Sequence, residues 1–144
     1  MQTLSKSVSI RTREPFEVVD IAKDVEHAVD AMRLKDGIVV VTTTHTTTGV
    51  CINERCNRLQ EDMRDFLLRL APPNANYRHN HETVDGRNNA HSHLLSMLLH
   101  NSETIPVSSG KLRLGAWQTV FFVELDGPRP ERNIILTAIG EFQK

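Results

Sequence analysis

Seven consecutive residues, Ile38-Val-Val-Val-Thr-Thr-Thr44, are all β-branched. Such side chains are stiff at χ1, crowd a helix and pack well on a pleated surface, so this stretch reads as a strand. Its apolar half, Ile38 to Val41, does not alternate with polar residues, which predicts burial on both faces. A strand of that kind needs covering layers on either side of its sheet.

The flanking sequence offers them. Leu4, Val8 and Ile10 alternate roughly with serines and a lysine, as in a half-exposed strand. Phe16 to Val19 form a short second strand after the turn at Arg13-Glu14-Pro15. Asp20 suits the N-cap of a helix from Ile21 to about Leu34, with Ile21, Val25, Ala28, Val29 and Met32 on one face and Gly37 as the left-handed residue behind it. Gly49 to Asn53 reads as a strand. Leu59, Met63, Phe66, Leu67 and Leu70 are spaced for a second amphipathic helix, with a capping box from Asn57 and Gln60 and a stop at Pro72-Pro73. A loop covers Asn74 to Asn88; structureless loops of about fifteen residues are usually functional or disordered. A third helix runs from about Asn89 to Leu99, with Leu94, Leu95, Leu98 and Leu99 as its core face. Strands follow near 102–107, 111–115 and 116–125, then a turn at Asp126-Gly127-Pro128 and a last strand, Asn133 to Ile139. This order indicates an α+β fold: mainly antiparallel β-sheets in a sandwich-like arrangement with about three helices, in one domain over residues 1–144.

The formal net charge of −1 supplies no general attraction to nucleic acid or an anionic membrane. No apolar run approaches the length of a bilayer span, and the N-terminal residues lack a signal-peptide apolar core. Cys51 and Cys56 are the only cysteines and are not spaced as a C-x-x-C pair. They read as packing residues of a reduced, cytoplasmic protein.

Five of the seven histidines, His79, His81, His91, His93 and His100, fall close together. Neutral imidazole is a common ligand for zinc, yet no H-E-x-x-H is present. On a helix His91 and His93 point about 200° apart, so they cannot both face one ion unless the helix starts late. The alternative is that they are polar loop and helix-end residues.

His45-Thr-Thr, Ile52-Asn53-Glu54, Tyr77-x-His79, Asn89-Ala-x-x-His93 and Gly110-x4-Gly115-x-Trp117-Gln118 resemble the YjbQ family, in order and spacing, over nearly the whole chain. The resemblance implies a small α+β domain that forms homotrimers and a secondary thiamine-phosphate synthase activity. It maps metal ligands onto His45, His79 and His93. It departs from the usual pattern at His91, where the family carries an acid, at Asn80 and at Ala116.

From this follow three functional expectations: a metal-assisted condensing enzyme, a metal-dependent hydrolase of a small phosphate or cyclic substrate, or a non-catalytic metal- or ligand-binding trimer. Zinc would sit on the histidines, with magnesium where a pyrophosphate substrate binds. Thr46, Thr47, Asn53, Asn89 and the amides near Gly115 would hold the small phosphorylated substrate. Trp117 would stack on a flat ring and Gln118 fix its edge, although packing is the commoner use of tryptophan. Glu54 and Asp85 are the acid–base candidates. Glu124 and Asp126 read as solvent-facing; Arg129 and Arg132 are candidates for binding phosphate, although surface arginines are the commoner case. Val120-Phe-Phe-Val123 is apolar on both faces; a neighbouring copy, or a second layer within the chain, would cover it.

Overall fold

The computed structural model describes residues 1–143. Eight strands and three α-helices follow one another as β1 (Gln2–Ile10), β2 (Glu17–Asp20), α1 (Ala22–Met32), β3 (Leu34–Thr43), β4 (Thr48–Glu54), α2 (Asn57–Leu70), α3 (Ala90–Leu98), β5 (Ser102–Ser108), β6 (Lys111–Leu112), β7 (Gln118–Glu124) and β8 (Arg132–Phe142). The expected loop before α3 carries one short 3-10 turn, Arg78–His81. Two antiparallel sheets result. The larger is ordered β1-β8-β3-β5-β6 and the smaller β2-β7-β4. The chain is therefore α+β, with the sheets stacked as in a sandwich.

Alternation decides what each strand buries. Val39 and Val41 of β3, Ile134, Leu136 and Ala138 of β8, and Ile105 and Val107 of β5 point inward. They meet Val120 and Phe122 of β7 and the apolar face of α1, Val25, Ala28, Val29 and Met32. Each fully buried Val, Leu, Ile or Phe here contributes roughly 1.5–3 kcal/mol against leaving it in water. The other face of β7, Phe121 and Val123, joins a second cluster with Leu67 of α2, Leu95 of α3 and Leu125. Both faces of the apolar run are thus covered inside one chain, so it gives no ground for a partner copy.

The large sheet differs. Its outward residues Ile38 and Val40 are half-buried, and Ile135 is 37 % exposed. The expected burial of β3 on both faces therefore holds fully on one face only. Gly37 is not behind a helix. Arg33, at φ 59°, takes the left-handed position after α1, while Gly37 pairs with Gly140 across β3 and β8. A Cβ on Gly37 would stand 2.2 Å from the carbonyl oxygen of Ile139, closer than any side chain can come.

The cap residue of α1 is Ile21, not Asp20; Asp20 stands one residue earlier and accepts the Ala22 N–H at 3.0 Å. The capping box on α2 does not form: Cys56 is the cap residue and no side chain closes it. On α3 only Leu95 of the four leucines is fully buried, while Leu94 and Leu98 are exposed. Ala90 and Ser92 are buried as well; two residues apart on the helix they point about 200° from each other, so the first turn is covered on more than one side, where α3 meets β4 and the 3-10 turn. Among the described residues no helix is long and apolar enough to cross a membrane.

Candidate functional site

The short connection from β3 to β4, Thr44 to Thr47, meets the start of β8 and the start of α3 at one end of the sandwich. Its threonines tie the turn down. Thr43 and Thr48 share a hydroxyl hydrogen bond of 2.7 Å, and the Thr48 hydroxyl donates to the His45 carbonyl at 3.3 Å.

Two carboxylates lie beneath. Glu124 is fully buried. Arg132 donates to it from Nε at 2.8 Å and Nη2 at 2.6 Å, and Nη2 also reaches the Thr47 hydroxyl at 3.0 Å. Thr12 Oγ1 and the Asp126 N–H complete the shell, each at 2.9 Å. Burial alone would push the Glu124 carboxyl up, but Arg132 and the other donors outweigh it and hold it below its ordinary range. Asp126 is treated alike. It accepts Arg87 Nε at 3.0 Å, Asn89 Nδ2 at 2.9 Å and Arg129 Nη2 at 2.8 Å, and these reverse the effect of burial. Three guanidinium groups, of Arg87, Arg129 and Arg132, face Glu124 and Asp126, and Asp85, in the lining of the cavity beside them, is a third carboxylate, so the charges balance. Both acids were expected on the solvent face; Glu124 is instead fully buried and the Asp126 side chain is 10 % exposed.

His45 is fixed by the backbone. The Asn133 N–H donates to its Nε2 at 2.9 Å. That nitrogen therefore carries the lone pair, and in the neutral ring the proton sits on Nδ1. Burial first, and then the Arg132 charge, lower the pKa of this imidazole and keep it neutral, against a smaller opposite pull from Glu124. His79 is fixed by a relay. Asn89 donates Nδ2 to Asp126, so its Oδ1 must accept, and the 3.2 Å contact with His79 Nε2 makes that nitrogen the donor. The rings of His79 and His93 meet edge to face, with centroids 4.9 Å apart.

These groups border a cavity of about 290 Å³ lined by Thr44 to Thr47, Asp85, Asn89, His93, Asp126, Arg129 and Arg132. Asp85 stands at its rim and accepts the Arg87 backbone N–H at 3.1 Å. Arg129 and Arg132 each engage Nε and Nη2. Among the described residues the Nη1 of each, the Thr46 hydroxyl and the Nδ1–H of His45 meet no acceptor.

The expected histidine metal set does not fit this geometry. The Nε2 lone pair of His45 already accepts a backbone N–H, which puts the proton on Nδ1 and leaves no lone pair for an ion. His79 binds Asn89 through Nε2. Among the described residues no three histidine, cysteine, aspartate or glutamate side chains stand close enough to hold an ion. His91 points away, as helical periodicity requires, toward a mainly apolar pocket with Phe16, Leu68 and Leu95.

Of the residues anticipated from sequence, His45, His93, Thr46, Thr47, Asn89 and Asp85 come together, with His79 against His93. Glu54, Asn53, Gly115, Trp117 and Gln118 do not. In the β4–β7 ladder Thr48 lies opposite Glu124 and Glu54 opposite Gln118. Six residues of extended strand put the two ends about 20 Å apart. At the far end the Gly115 N–H donates to Gln118 Oε1 at 2.8 Å, and Asn53 Oδ1 accepts the Glu54 N–H at 2.8 Å. Those amides build turns. Trp117 is 76 % exposed, so it neither packs in the core nor reaches the cleft of its own chain. Sequence reasoning weighed Arg129 and Arg132 as phosphate binders but passed over Glu124 and Asp126, which left one signal. By strand alternation Glu124 shares its face with Val120 and Phe122, which marks a buried charge in need of a partner.

Comparison with known proteins gives a consistent picture. A family model described as UPF0047 protein YjbQ-like matches residues 6–141. A UPF0047 protein of Archaeoglobus fulgidus is 42 % identical, over 89 % of this chain and 96 % of that protein. The UPF0047 protein YjbQ of Escherichia coli O157:H7 is 34 % identical, over 78 % of this chain and 80 % of that protein. Among solved structures, a YbjQ-like protein of unknown function from Sulfolobus solfataricus superposes with a TM-score of 0.91 at 36 % identity, covering 97 % of this chain and 99 % of that one. A hypothetical protein from Aeropyrum pernix gives 0.87 at 38 % identity, covering 98 % and 100 %. These proteins carry family names or the words unknown function, with no synthase activity among them. With the histidines unable to form a metal set, this corrects the expectation of a metal-binding enzyme akin to thiamine-phosphate synthase. The metal-dependent hydrolase and the metal-binding trimer fall with it.

Proposed function

The chain belongs to the UPF0047 family of YjbQ-like proteins, and on that premise we propose that it is an enzyme moving a proton on a small carbonyl compound that bears an oxyanion group. One observation carries the reading: the backbone of Asn133 holds His45 as a neutral imidazole with its proton on Nδ1. A neutral imidazole donor can stabilise charge that gathers on a carbonyl oxygen without itself titrating near pH 7. The Nη1 groups of Arg129 and Arg132 and the Thr46 hydroxyl, all donors, take the oxyanion group. His93, which lines the same cavity, takes the proton from the carbon beside the carbonyl and returns it to the product. Asn89 keeps the neighbouring His79 in one tautomer.

The test is deuterium incorporation from heavy water into a panel of phosphorylated and carboxylated carbonyl compounds, followed by NMR. Exchange that depends on the protein, disappears in His45→Phe and weakens in Arg129→Met supports the reading. Exchange at the same rate in His45→Phe refutes it.

The proposal includes a homotrimer in a reducing, cytoplasmic setting. The resemblance supports the first, together with the outward face of the large sheet, where Ile38, Val40, Ile135 and Ile139 remain half-buried or exposed. The two free cysteines support the second. Light scattering at three times 16.3 kDa is the expected mass; a monomer at micromolar concentration rejects the trimer.

A further inference from the structure

The polar cavity is not isolated. A larger cleft of about 860 Å³ shares four of its lining residues, Thr44, His45, Thr46 and His93. The two spaces adjoin around His45 and His93, and they differ in chemistry. The smaller is walled by guanidinium, carboxylate and hydroxyl groups. The larger also carries hydroxyls, of Thr43, Ser96 and Ser102, but has no arginine or carboxylate in its lining and adds Met97, Leu99 and His100. Met97 projects from α3 with 81 % of its surface exposed. An exposed, unbranched thioether beside a binding cleft is an adaptable apolar contact, and sulfur sits favourably against the edge of an aromatic ring. Imidazole rings add flat faces to the same wall. The His100 ring is held in place by a 2.9 Å contact between its Nδ1 and Glu103 Oε1.

Resting on the oxyanion reading above, we propose that the ligand has two parts: an oxyanion head in the small cavity and an aromatic body in the larger cleft, with Met97 as the residue that selects the body. A simple anion would fill the small space and leave the larger one in water. An aliphatic chain would use the apolar area but not the ring faces or the sulfur.

Calorimetric titration of the full chain with inorganic phosphate, butyl phosphate and phenyl phosphate tests this. Phenyl phosphate is expected to bind at least about tenfold more tightly than inorganic phosphate, the order of gain from removing one ring face from water. It should also bind more tightly than butyl phosphate. In Met97→Glu, a change at an exposed position, the ratio of phenyl phosphate to inorganic phosphate affinity should fall toward one. Equal binding of phenyl phosphate and inorganic phosphate overturns the aromatic body and leaves the oxyanion reading intact. So does a ratio unchanged in Met97→Glu, or butyl phosphate matching phenyl phosphate. Failure of all three to bind at millimolar concentration overturns both readings together.

Discussion

The two ends of the β4–β7 ladder hold similar residue types and use them in opposite ways. At the Thr48 end an acid and an arginine pair in the interior: the side chains of Arg132 and Glu124 are 6 % and 0 % exposed. At the Glu54 end Arg55 pairs with Asp20, and those side chains are 62 % and 27 % exposed. The first pair cannot be understood without its surroundings, because each charge has lost its water and needs every donor around it. In the second pair Arg55 keeps most of its solvent, so the pair gains less from meeting. A polar motif in sequence therefore carries no fixed meaning. Enclosure separates residues that hold a site from residues that finish a turn.

Stability measurements can break this contrast. Glu124→Gln keeps the shape but leaves Arg132 buried without its counter-charge, and should cost about 3 kcal/mol or more by urea denaturation. Glu54→Gln at the other end should stay within about 0.5 kcal/mol. Equal costs would mean that burial does not distinguish the two ends.

Acid titration sharpens it. Glu124 and Asp126 are held below their ordinary values of 4.5 and 3.8. A depressed carboxyl contributes stability that is complete above its unfolded value and lost as pH falls through the folded one. The wild-type protein should therefore lose stability below about pH 4.5, and Glu124→Gln should show a shallower loss over that range. Asp20 is depressed as well, with burial opposing its donors Ala22, Arg55 and Thr119. Asp20→Asn should flatten the curve less than Glu124→Gln. A larger effect at Asp20 would reverse the ranking.

Smaller effects lie at the open end. Arg55→Ala should cost at most about 1 kcal/mol, the range of an exposed pair, measured by the same denaturation. Smallest of all, phenyl phosphate should leave the iodide quenching of Trp117 unchanged, since the cleft of the same chain is about 20 Å away by strand length. Protection of Trp117 by the ligand would show that a neighbouring copy brings the indole to the cleft.

Most of the architecture could be read from periodicity. The strand runs, three amphipathic helices and turn residues all report local geometry, and the β-branched run at Ile38 was a faithful guide. Caps and covers were less legible. Arg33 in the left-handed conformation displaced Gly37 from its expected role, because the Gly37–Gly140 contact joins strands a hundred residues apart in the chain. The site was half legible. The histidines and threonines announced themselves by type. Glu124 and Asp126 did not, since whether a charge is enclosed depends on β1, β7 and β8 meeting, which no local pattern records. His45 misled for the same reason: its proton is placed by a backbone amide from the far end of the sequence.

That amide belongs to β8, which lies between β1 and β3 in the large sheet and follows every other strand in the chain. During synthesis β1 and β3 emerge from the ribosome well before the strand that must join them. Until β8 arrives their edges stay open, Glu124 has no Arg132, and the tautomer of His45 is undefined. The pocket therefore cannot assemble in step with translation; it closes in a late event, and a nascent chain stalled before Arg132 would present two unpaired strand edges to whatever binds such edges in the cell.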